Sequence, residues 1–374
     1  MKRYMKFMML TGLSAMLLAS AACYDAGDTP TAIVETVTPA AASEEETVHV
    51  DATPVQEDAL PAVPETEPPT PEPTPEPPKT PAPTREPIEG DVSTDRFPNE
   101  DTGADADWSY QSDELRVAIR RVENEDDQIV YYVADVWVRN INSFRTELAN
   151  GKYSSGREDP EKFANRINAV FGISGTMNSG LVVHNGTKYR GADNSTGNTF
   201  RSGILIVYRD GSVKTINRNK HQSLNYNNEN KQNGGILHAL QFGPILVQNG
   251  EIPSGLKQRE RHPRIIFGYC EPGHYICVAV DGRTKTSIGM TEQEMAELML
   301  SLGCTEAMNL DGGNSAVMLF MGETINVPSG TDRDGDGVAG RNIVDMLAFA
   351  EFDADGNAPS LSSVHADKFL RSEP

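Results

Sequence analysis

The chain has 374 residues and a formal net charge of −21 at pH 7. Residues 24–107 contain 21 acidic residues against three basic ones, so most of the negative charge lies there. Lysine and arginine are scattered through the rest of the chain, which is not the clustered basic surface of nucleic-acid-binding proteins. We therefore expect no nucleic-acid partner.

The N-terminus has the pattern of a secretory signal. A basic start is followed by an apolar stretch from Phe7 to Leu18 and by small residues ending at Ala22. A transmembrane anchor is the alternative, but the stretch is shorter than the roughly 20 residues needed to span a bilayer. We expect a signal peptide over residues 1–22 and lipid attachment at Cys23, as in bacterial lipoproteins; release after Ala22 is the alternative. The protein would then be exported and would meet the outer face of the membrane only through this anchor, or else be secreted.

Residues 23–107 predict a disordered, acidic, proline-rich linker. Of the 24 prolines in the chain, 16 lie within residues 24–107. Such a segment cannot bury a hydrophobic core, and its prolines and like charges keep it extended. A proline-rich ligand for a partner domain is the alternative.

Ordered structure is predicted from Trp108 onwards. Apolar residues alternate with others from Leu115 to Ile119, and β-branched and aromatic residues dominate Ile129 to Val138, so both segments indicate strands. Further strands are predicted at Asn168–Ile173, Ile204–Tyr208, Ile245–Gln248, Arg264–Gly268, Tyr275–Val280 and Ile343–Phe349. A helix is predicted after Thr291, which forms a capping box with Glu294 and is followed by an apolar face and by Gly303 as its end. These elements predict an α+β fold, a single domain over residues 108–352 on a mixed β-sheet with a few helices, and a polar tail over residues 353–374 that frays.

Three cysteines lie in the predicted domain: Cys270, Cys277 and Cys304. Export permits a disulfide, and Cys270 with Cys277 across a hairpin turn is one possibility. A metal site that includes His274 is another, but no fourth ligand appears at zinc spacing. We favour buried or paired thiols over a metal site.

The segment Asn309 to Ser315, Asn-Leu-Asp-Gly-Gly-Asn-Ser, is the strongest candidate for a functional site. Asp311 and, 30 residues earlier, Asp281 each follow an apolar strand and precede glycine. Glycine lets the backbone approach a ligand closely, and its amide can point at an anion. The spacing fits a strand, a crossover helix and a neighbouring parallel strand, which would bring both carboxylates to one sheet edge. For Asp281, an ordinary Asp-Gly turn is the alternative.

Six segments occur in the order seen in the phosphodiester glycosidase family, which the chain resembles over residues 110–352. They are Phe200 to Gly203, His238 to Gly250, His262 to Arg264, Val280 to Arg283, Gly289 to Thr291 and Asn309 to Gly313. The family includes an N-acetylglucosamine-1-phosphodiester alpha-N-acetylglucosaminidase and bacterial envelope homologues. The resemblance implies a hydrolase that cleaves glycosyl-1-phosphodiester linkages. Two departures, Ile-Ser-Gly-Thr-Met at residues 173–177 and Asn314-Ser315-Ala316 after the glycines, put the substrate in question more than the reaction class.

The resemblance and the residue types together suggest roles. Cleavage of a sugar C1 to phosphate oxygen bond passes through an oxocarbenium-like state that carboxylates stabilise, so Asp311 and Asp281 are the catalytic candidates. Arginine binds phosphate oxygens in bidentate fashion, which makes Arg264 and Arg201 the first candidates for the phosphate clamp. The remaining candidates for substrate binding are Arg283, Arg341, Asn309, Gly312, Gly313, Asn314 and Ser315. A structural or surface ion pair is the alternative for each arginine, and the histidines of the matched segments, His238 and His262, fit either substrate positioning or proton transfer.

The expected function is hydrolysis of phosphate-containing glycans or sugar phosphates, such as envelope glycopolymers or exopolysaccharide. A non-catalytic module that binds glycan phosphates is one alternative, and a structural envelope protein is another. The mechanism requires no cofactor. Asp332, Asp334 and Asp336 match the first half of a calcium loop, but Ile343 stands where a bidentate glutamate is expected, so a structural calcium ion competes with a solvated acidic loop.

Overall fold

The structure is a computed structural model. It describes residues 88–92, 96–98, 105–192, 203–217, 224–330, 340–353 and 355–371. Several predictions fall outside the described residues: the signal peptide, the lipid attachment at Cys23, most of the linker, Arg201, and the calcium loop with Asp332, Asp334 and Asp336. In the described ranges, no helix is long and apolar enough to cross a membrane.

The described strands form three sheets. The first has eight strands in the order β11-β14-β12-β13-β3-β2-β1-β18, the second has the order β7-β6-β10-β8-β9, and the third has the order β16-β15-β5-β17-β4. The strands are β1 Trp108–Gln111, β2 Leu115–Asn124, β3 Ile129–Val138, β4 Phe144–Leu148, β5 Phe171–Ser174, β6 Val182–His184, β7 Thr187–Arg190, β8 Gly203–Tyr208, β9 Val213–Asn217, β10 Ile236–Phe242, β11 Ile245–Val247, β12 Arg264–Glu271, β13 His274–Val280, β14 Glu306–Asn309, β15 Met318–Phe320, β16 Glu323–Thr324, β17 Asp345–Phe349 and β18 Phe369–Arg371. The helices are α1 Pro160–Arg166, α2 Tyr226–Glu229, α3 Glu292–Ser301 and α4 Leu361–Lys368.

The predicted α+β class is confirmed, but the single mixed sheet is wrong. Strand pairs within the three sheets are antiparallel wherever the structure gives a register. The physical reason lies in β12, which follows β11 by a long connection and inserts between β13 and β14. Strands β13 and β14 therefore run in the same direction without being neighbours.

The first and third sheets share an aromatic core. Phe144 of β4 stacks on Phe349 of β17 with ring centroids 4.5 Å apart. The same ring lies 5.4 Å from Phe267 of β12 and 5.3 Å from Tyr275 of β13. All four side chains are fully buried. Because aromatic side chains bury large areas, this cluster fixes the third sheet against the first.

Helix α3 forms as predicted. The Thr291 hydroxyl accepts a hydrogen bond from the Glu294 amide, and the Glu294 carboxylate accepts one from the Thr291 amide. The helix buries Met295, Ala296 and Met299 and is followed by Gly303, whose positive φ of 84° suits a residue that lacks a Cβ. Helix α3 is thus the crossover between β13 and β14.

Both predicted domain boundaries need correction. Residues 353–374 do not simply fray: they include α4 and β18, and β18 pairs with β1. At the other end, Phe97 is buried beneath the Arg139 guanidinium, 4.3 Å from the ring centre, and Asp91 bridges to Asn140. The domain therefore begins inside the segment predicted as linker, because an aromatic side chain there has a core to join.

Candidate functional site

Three of the predicted site residues, Asp281, Arg264 and Asp311, lie at one edge of the first sheet. Arg264 begins β12 opposite Val280, the last residue of β13, and the Leu310 amide donates to the Ile265 carbonyl. Asp281, Arg264 and Asp311 therefore follow or begin three adjacent strands at the same edge, as the spacing predicted. The prediction that β13 and β14 are neighbours is wrong, since β12 separates them.

Asp281 binds a loop rather than Asp311. Its Oδ1 accepts hydrogen bonds from the Val327 amide at 2.9 Å and from Asn326 Nδ2 at 3.2 Å. Asn326 also donates to the Ala316 carbonyl. Burial raises the pKa of Asp281 to about 6. These two hydrogen bonds indicate that Asp281 fastens the loop at residues 326–327.

The acidic neighbour of Asp311 is Asp345. The Asp311 amide donates to the Gly175 carbonyl at 2.9 Å, and the Gly175 amide donates to the Asp345 carbonyl at 3.1 Å. A Cβ on Gly175 would lie 2.8 Å from the Asp345 carboxyl group, so only glycine fits between the two aspartates. The pKa of Asp345 is raised to about 7, chiefly by burial and to a smaller extent by the charge of Asp311, while hydrogen bonds from Thr176 oppose the shift. Asp345 is fully buried, Asp311 is 8% exposed, and the two residues are linked through the backbone of Gly175.

Asp345 and the residues around it were not among the candidates predicted from the sequence. His184 Nε2 lies 4.0 Å from Asp345 Oδ2, and Asn178 Oδ1 lies 3.2 Å from the same histidine nitrogen. The charge of Arg157 lowers the pKa of both Asp311 and Asp345. One signal was available: Asp345 is the single ionisable residue in the otherwise apolar strand β17.

Ser315 and Arg341 complete the surroundings of Asp311. Arg341 donates to the Ser315 hydroxyl from Nε at 2.9 Å and from Nη2 at 2.6 Å, and its Nη2 lies 3.6 Å from Asp311 Oδ2. Burial raises the pKa of Asp311, while a hydrogen bond from Ser315 and the charge of Arg341 lower it in part. The predicted residues Asp311, Ser315 and Arg341 are thus brought together.

Arg264 and Arg283 flank the other side of the same loop. Arg264 is 7% exposed, and its Nε is buried with no hydrogen-bond partner among the described residues. Burial lowers the pKa of Arg264, the charge of Glu292 partly opposes this shift, and the charge of Arg283 adds to it. Arg283 Nη2 lies 3.3 Å from His262 Nδ1. A buried guanidinium with an unsatisfied donor is costly without an anion, so this is the strongest indication of a ligand site in the described part of the chain.

The glycines act differently from the prediction. A Cβ on Gly312 would lie 2.7 Å from the Pro263 carbonyl and 3.5 Å from Arg264 Cδ, so the absence of a side chain lets the loop pack on the arginine. The Gly312 amide donates to Asp311 Oδ1 and the Gly313 amide donates to the Pro263 carbonyl. The two amides, which the sequence suggested could point at an anion, thus donate to acceptors within the chain.

Three other candidates are structural by their contacts. Asn309 is fully buried and donates to the Gly243 carbonyl at 2.9 Å. Asn314 accepts from the Ser329 hydroxyl at 3.0 Å. His238 is fully buried, with Nδ1 2.9 Å from the Thr146 hydroxyl and Nε2 3.2 Å from the Phe144 carbonyl, so it cannot reach a substrate.

Two further indicators of a site in the described part of the chain are metal-binding residues and surface cavities. The described residues hold no group of three or more histidine, cysteine, aspartate or glutamate side chains fit to bind a metal ion. A surface cavity of about 680 Å³ lies elsewhere, lined by Glu123, Glu125, Asp126, Asp127, Glu294 and Glu297 among others. Such an acidic lining repels a phosphate, which favours the loop from Asp311 to Ser315 as the place for an anionic substrate.

The loop from Asp311 to Ser315 lies within a segment that matches a known protein family. The phosphodiester glycosidase family model matches residues 165–350, which contain Asp311, Asp345 and Arg264. The SPbeta prophage-derived uncharacterized protein YomE of Bacillus subtilis (strain 168) is 28% identical over 214 residues, 54% of this chain and 31% of that protein. The N-acetylglucosamine-1-phosphodiester alpha-N-acetylglucosaminidase of Bos taurus is 26% identical over 134 residues, 33% of this chain and 25% of the bovine enzyme. The matches therefore span less than a third of each relative's length.

The fold is similar to that of a solved member. The catalytic domain of the zebrafish N-acetylglucosamine-1-phosphodiester alpha-N-acetylglucosaminidase, auto-inhibited by its pro-peptide, superposes with a TM-score of 0.51 at 18% identity. The superposition covers 64% of this chain and 84% of the zebrafish chain. The family match and the shared fold agree with the resemblance found in the sequence. Residues 165–350 of the chain match the phosphodiester glycosidase family.

Proposed function

We propose that the chain hydrolyses glycosyl-1-phosphodiester bonds at the loop from Asp311 to Ser315. One observation supports this above all others. The loop has the buried carboxyl groups of Asp311 and Asp345 on one side and, on the other, the buried guanidinium of Arg264, whose Nε has no hydrogen-bond partner among the described residues. A bond between a sugar carbon and a phosphate oxygen needs both kinds of group, a carboxylate for the carbon and a cation for the phosphate.

On the carboxyl side, Asp311 is the group that acts on the sugar. Its carboxylate is 8% exposed, whereas Asp345 is fully enclosed. An ionised Asp311 would attack C1 or take a proton from the water that does so, while its charge stabilises the oxocarbenium-like state. Because burial raises its pKa, Asp311 is a stronger base than a carboxylate in solution. Asp345 fixes the position of Asp311 through Gly175 and is a positioning residue.

On the cationic side, Arg264 and Arg283 would hold the phosphate. Two guanidinium groups near one another repel, and a phosphate dianion or diester between them removes the repulsion. The phosphate leaves as a weak base, so the reaction depends on this positive charge more than on a strong proton donor. We place Arg201 in the same clamp as a prediction from the sequence.

We further propose that the substrate is a phosphate-containing glycopolymer or sugar phosphate of the cell envelope or the extracellular space. The signal-like residues 1–22 and Cys23 support an exported protein anchored by lipid, with the acidic linker as a spacer. An acidic spacer stays extended and keeps the domain clear of an anionic surface. The name of the bovine relative supports a sugar 1-phosphodiester as the first compound to test.

The test measures free reducing sugar from a panel of sugar-1-phosphate methyl diesters, N-acetylglucosamine among them. We expect release by the full chain and a loss of about 10²–10⁴-fold in kcat/KM for Asp311→Asn, the range for a lost acid-base or nucleophilic group. Gly191→Ala is the matched control, because a Cβ at Gly191 meets nothing within 4 Å. Sugar release that survives Asp311→Asn would overturn the assignment of Asp311.

A second candidate is a module that binds glycan phosphates without cleaving them. The two departures from the family pattern favour it. Thr176 is hydrogen-bonded to Asp345, and Asn314 is hydrogen-bonded to Ser329. Titration calorimetry on the same panel distinguishes the two. Binding that depends on Arg264 without sugar release supports the module and overturns the enzyme.

A further inference from the structure

Two thiols that are distant in sequence lie side by side at the far end of β12. The Sγ atoms of Cys270 and Cys304 are 3.9 Å apart. Cys304 lies between α3 and β14, is 1% exposed, and its Sγ would be 2.6 Å from a Cβ on Gly268. The Thr305 amide donates to the Tyr269 carbonyl at 2.8 Å, so the backbone next to each cysteine is fixed against the other. The pair is therefore built into the first sheet.

The third cysteine of the domain cannot take part. Cys277 lies opposite Phe267 in the β12–β13 register and is fully buried. The hairpin disulfide between Cys270 and Cys277 that the sequence allowed is absent, and all three described cysteines are free thiols. The partner of Cys270 is thus the cysteine beyond α3.

The two thiols of the pair differ in reactivity. Cys270 is half-buried, and the Cys304 thiol lowers the pKa of Cys270, with a further contribution from the charge of His274. Hydrogen bonding to Cys270 and burial raise the pKa of Cys304. Thiolate is the nucleophile in disulfide exchange, so Cys270 is the attacking sulfur and Cys304 the resolving one.

We propose that Cys270 and Cys304 form an intrachain disulfide when the chain meets a disulfide oxidant. The Cys270 thiolate attacks one sulfur of the oxidant, forms a mixed disulfide and expels the other sulfur as a thiolate. The Cys304 thiol then loses its proton and attacks Cys270 Sγ, which expels the second thiolate of the oxidant. The two cysteines lose two protons and two electrons, and the oxidant is reduced to two thiols.

The bond would enclose α3. The two cysteines are 34 positions apart, and the loop that they close contains the end of the β12–β13 hairpin, β13 and the crossover helix. A cross-link removes conformations from the unfolded chain and so stabilises the folded one. It would also tie β12, which begins at Arg264, to the start of β14, which ends at the candidate site.

The test uses the full chain treated with oxidised glutathione, digested with trypsin without reduction and analysed by mass spectrometry. Cys270 and Cys277 share the tryptic peptide 265–283, while Cys304 lies in peptide 286–333. We expect a cross-link between these peptides that persists in Cys277→Ala, the matched control, and is lost in Cys270→Ala and in Cys304→Ala. Oxidation should raise the melting temperature by about 5–10 °C in the wild type and in Cys277→Ala alone.

Three outcomes would overturn the proposal. In the first, Cys270, Cys277 and Cys304 all remain free thiols after treatment with the oxidant. Another is a cross-link that disappears in Cys277→Ala, which would assign the bond to the wrong cysteine. The third is a glutathione adduct that stays on Cys270, because it would mean that Cys304 cannot reach the mixed disulfide. None of these results depends on whether the chain hydrolyses a phosphodiester.

Discussion

Thr176 donates a hydrogen bond to each of the two carboxyl oxygens of Asp345. The Thr176 amide donates to Oδ1 at 2.7 Å and the Thr176 hydroxyl donates to Oδ2 at 3.0 Å. With a hydrogen bond to each oxygen and no exposed surface, Asp345 is fixed in place, and it is linked to Asp311 through Gly175. This arrangement makes the protonation of Asp345 a property of the fold, which stability measurements can detect.

Asp345→Asn should flatten the dependence of stability on pH. The folded pKa of Asp345, about 7, lies above its ordinary value of 3.8, so the folded state holds a proton that the unfolded state releases. The free energy of unfolding of the wild type therefore falls by a few kcal/mol, for about three pKa units, as the pH rises from about 4 to about 7. Above pH 7 it stays at the lower value. Urea unfolding at pH 4 and pH 8 measures the difference. If the free energy of unfolding changes equally with pH in the wild type and in Asp345→Asn, the raised pKa of Asp345 is contradicted.

Gly175→Ala should damage both stability and activity. Its Cβ would lie 2.8 Å from the Asp345 carboxyl group, and overpacking of this kind costs roughly 1–3 kcal/mol. The displacement would move the Gly175 carbonyl that holds the Asp311 amide, so kcat/KM should fall by more than the stability loss explains. Gly191→Ala, with open space around its Cβ, is the control for both measurements. Equal behaviour of the two variants would show that the site tolerates movement at Gly175.

Arg264→Met should separate function from stability. A buried guanidinium with an unsatisfied Nε costs free energy, and an apolar side chain of similar length removes that cost. We expect a melting temperature equal to or above that of the wild type, with a loss of roughly 10²-fold in kcat/KM for phosphodiesters. Thermal unfolding with and without inorganic phosphate checks the reason, because phosphate should stabilise the wild type and not the variant. A destabilised variant would mean that Arg264 is a structural residue.

Asp281→Ala and Asp311→Asn should have opposite profiles. Loss of the Asp281 carboxylate leaves the Val327 amide without its acceptor, which costs about 1–3 kcal/mol for a buried donor. We expect Asp281→Ala to lower the melting temperature and to keep measurable turnover, whereas Asp311→Asn should keep the melting temperature and lose turnover. Calorimetry and the sugar-release assay on the same preparations test both. If Asp281→Ala folds as well as the wild type but is inactive, Asp281 belongs to the chemistry after all.

A chelator should reveal whether the acidic loop holds calcium. The side chains of Asp332, Asp334 and Asp336 supply the first half of a calcium loop in the sequence. If the loop binds calcium, a chelator should lower the melting temperature of the wild type and leave the melting temperature of Asp334→Ala unchanged. An equal melting temperature with calcium and with chelator would favour the solvated loop.

Much of the fold follows from local patterns. The capping box at Thr291 and Glu294 marks the start of α3, and the strands β3, β8 and β13 occupy the segments rich in β-branched and aromatic residues. Local patterns also located the loop from Asp311 to Ser315 and the arginine beside it. These features depend on residues within one or two turns or strands of each other.

The rest depends on contacts between distant segments. Thr176 and Asp345 are 169 positions apart, and no periodicity in the sequence indicates that β5 and β17 pair. The place of β12 between β13 and β14 is equally non-local, and for that reason the sequence predicted β13 and β14 as neighbours. The amides of Gly312 and Gly313 were assigned to a ligand because their acceptors, Asp311 and Pro263, become evident only in the folded chain.

The hydrogen bond from the Asp311 amide to the Gly175 carbonyl joins the loop after β14 of the first sheet to the segment after β5 of the third. A chain in which each sheet has formed but the two have not yet docked would have every strand and no working site. If Asp311 acts as proposed, such a state would have no turnover, and an exported chain would become active only when the two sheets dock. Recovery of turnover during refolding would then report the docking of the two sheets rather than the formation of either one.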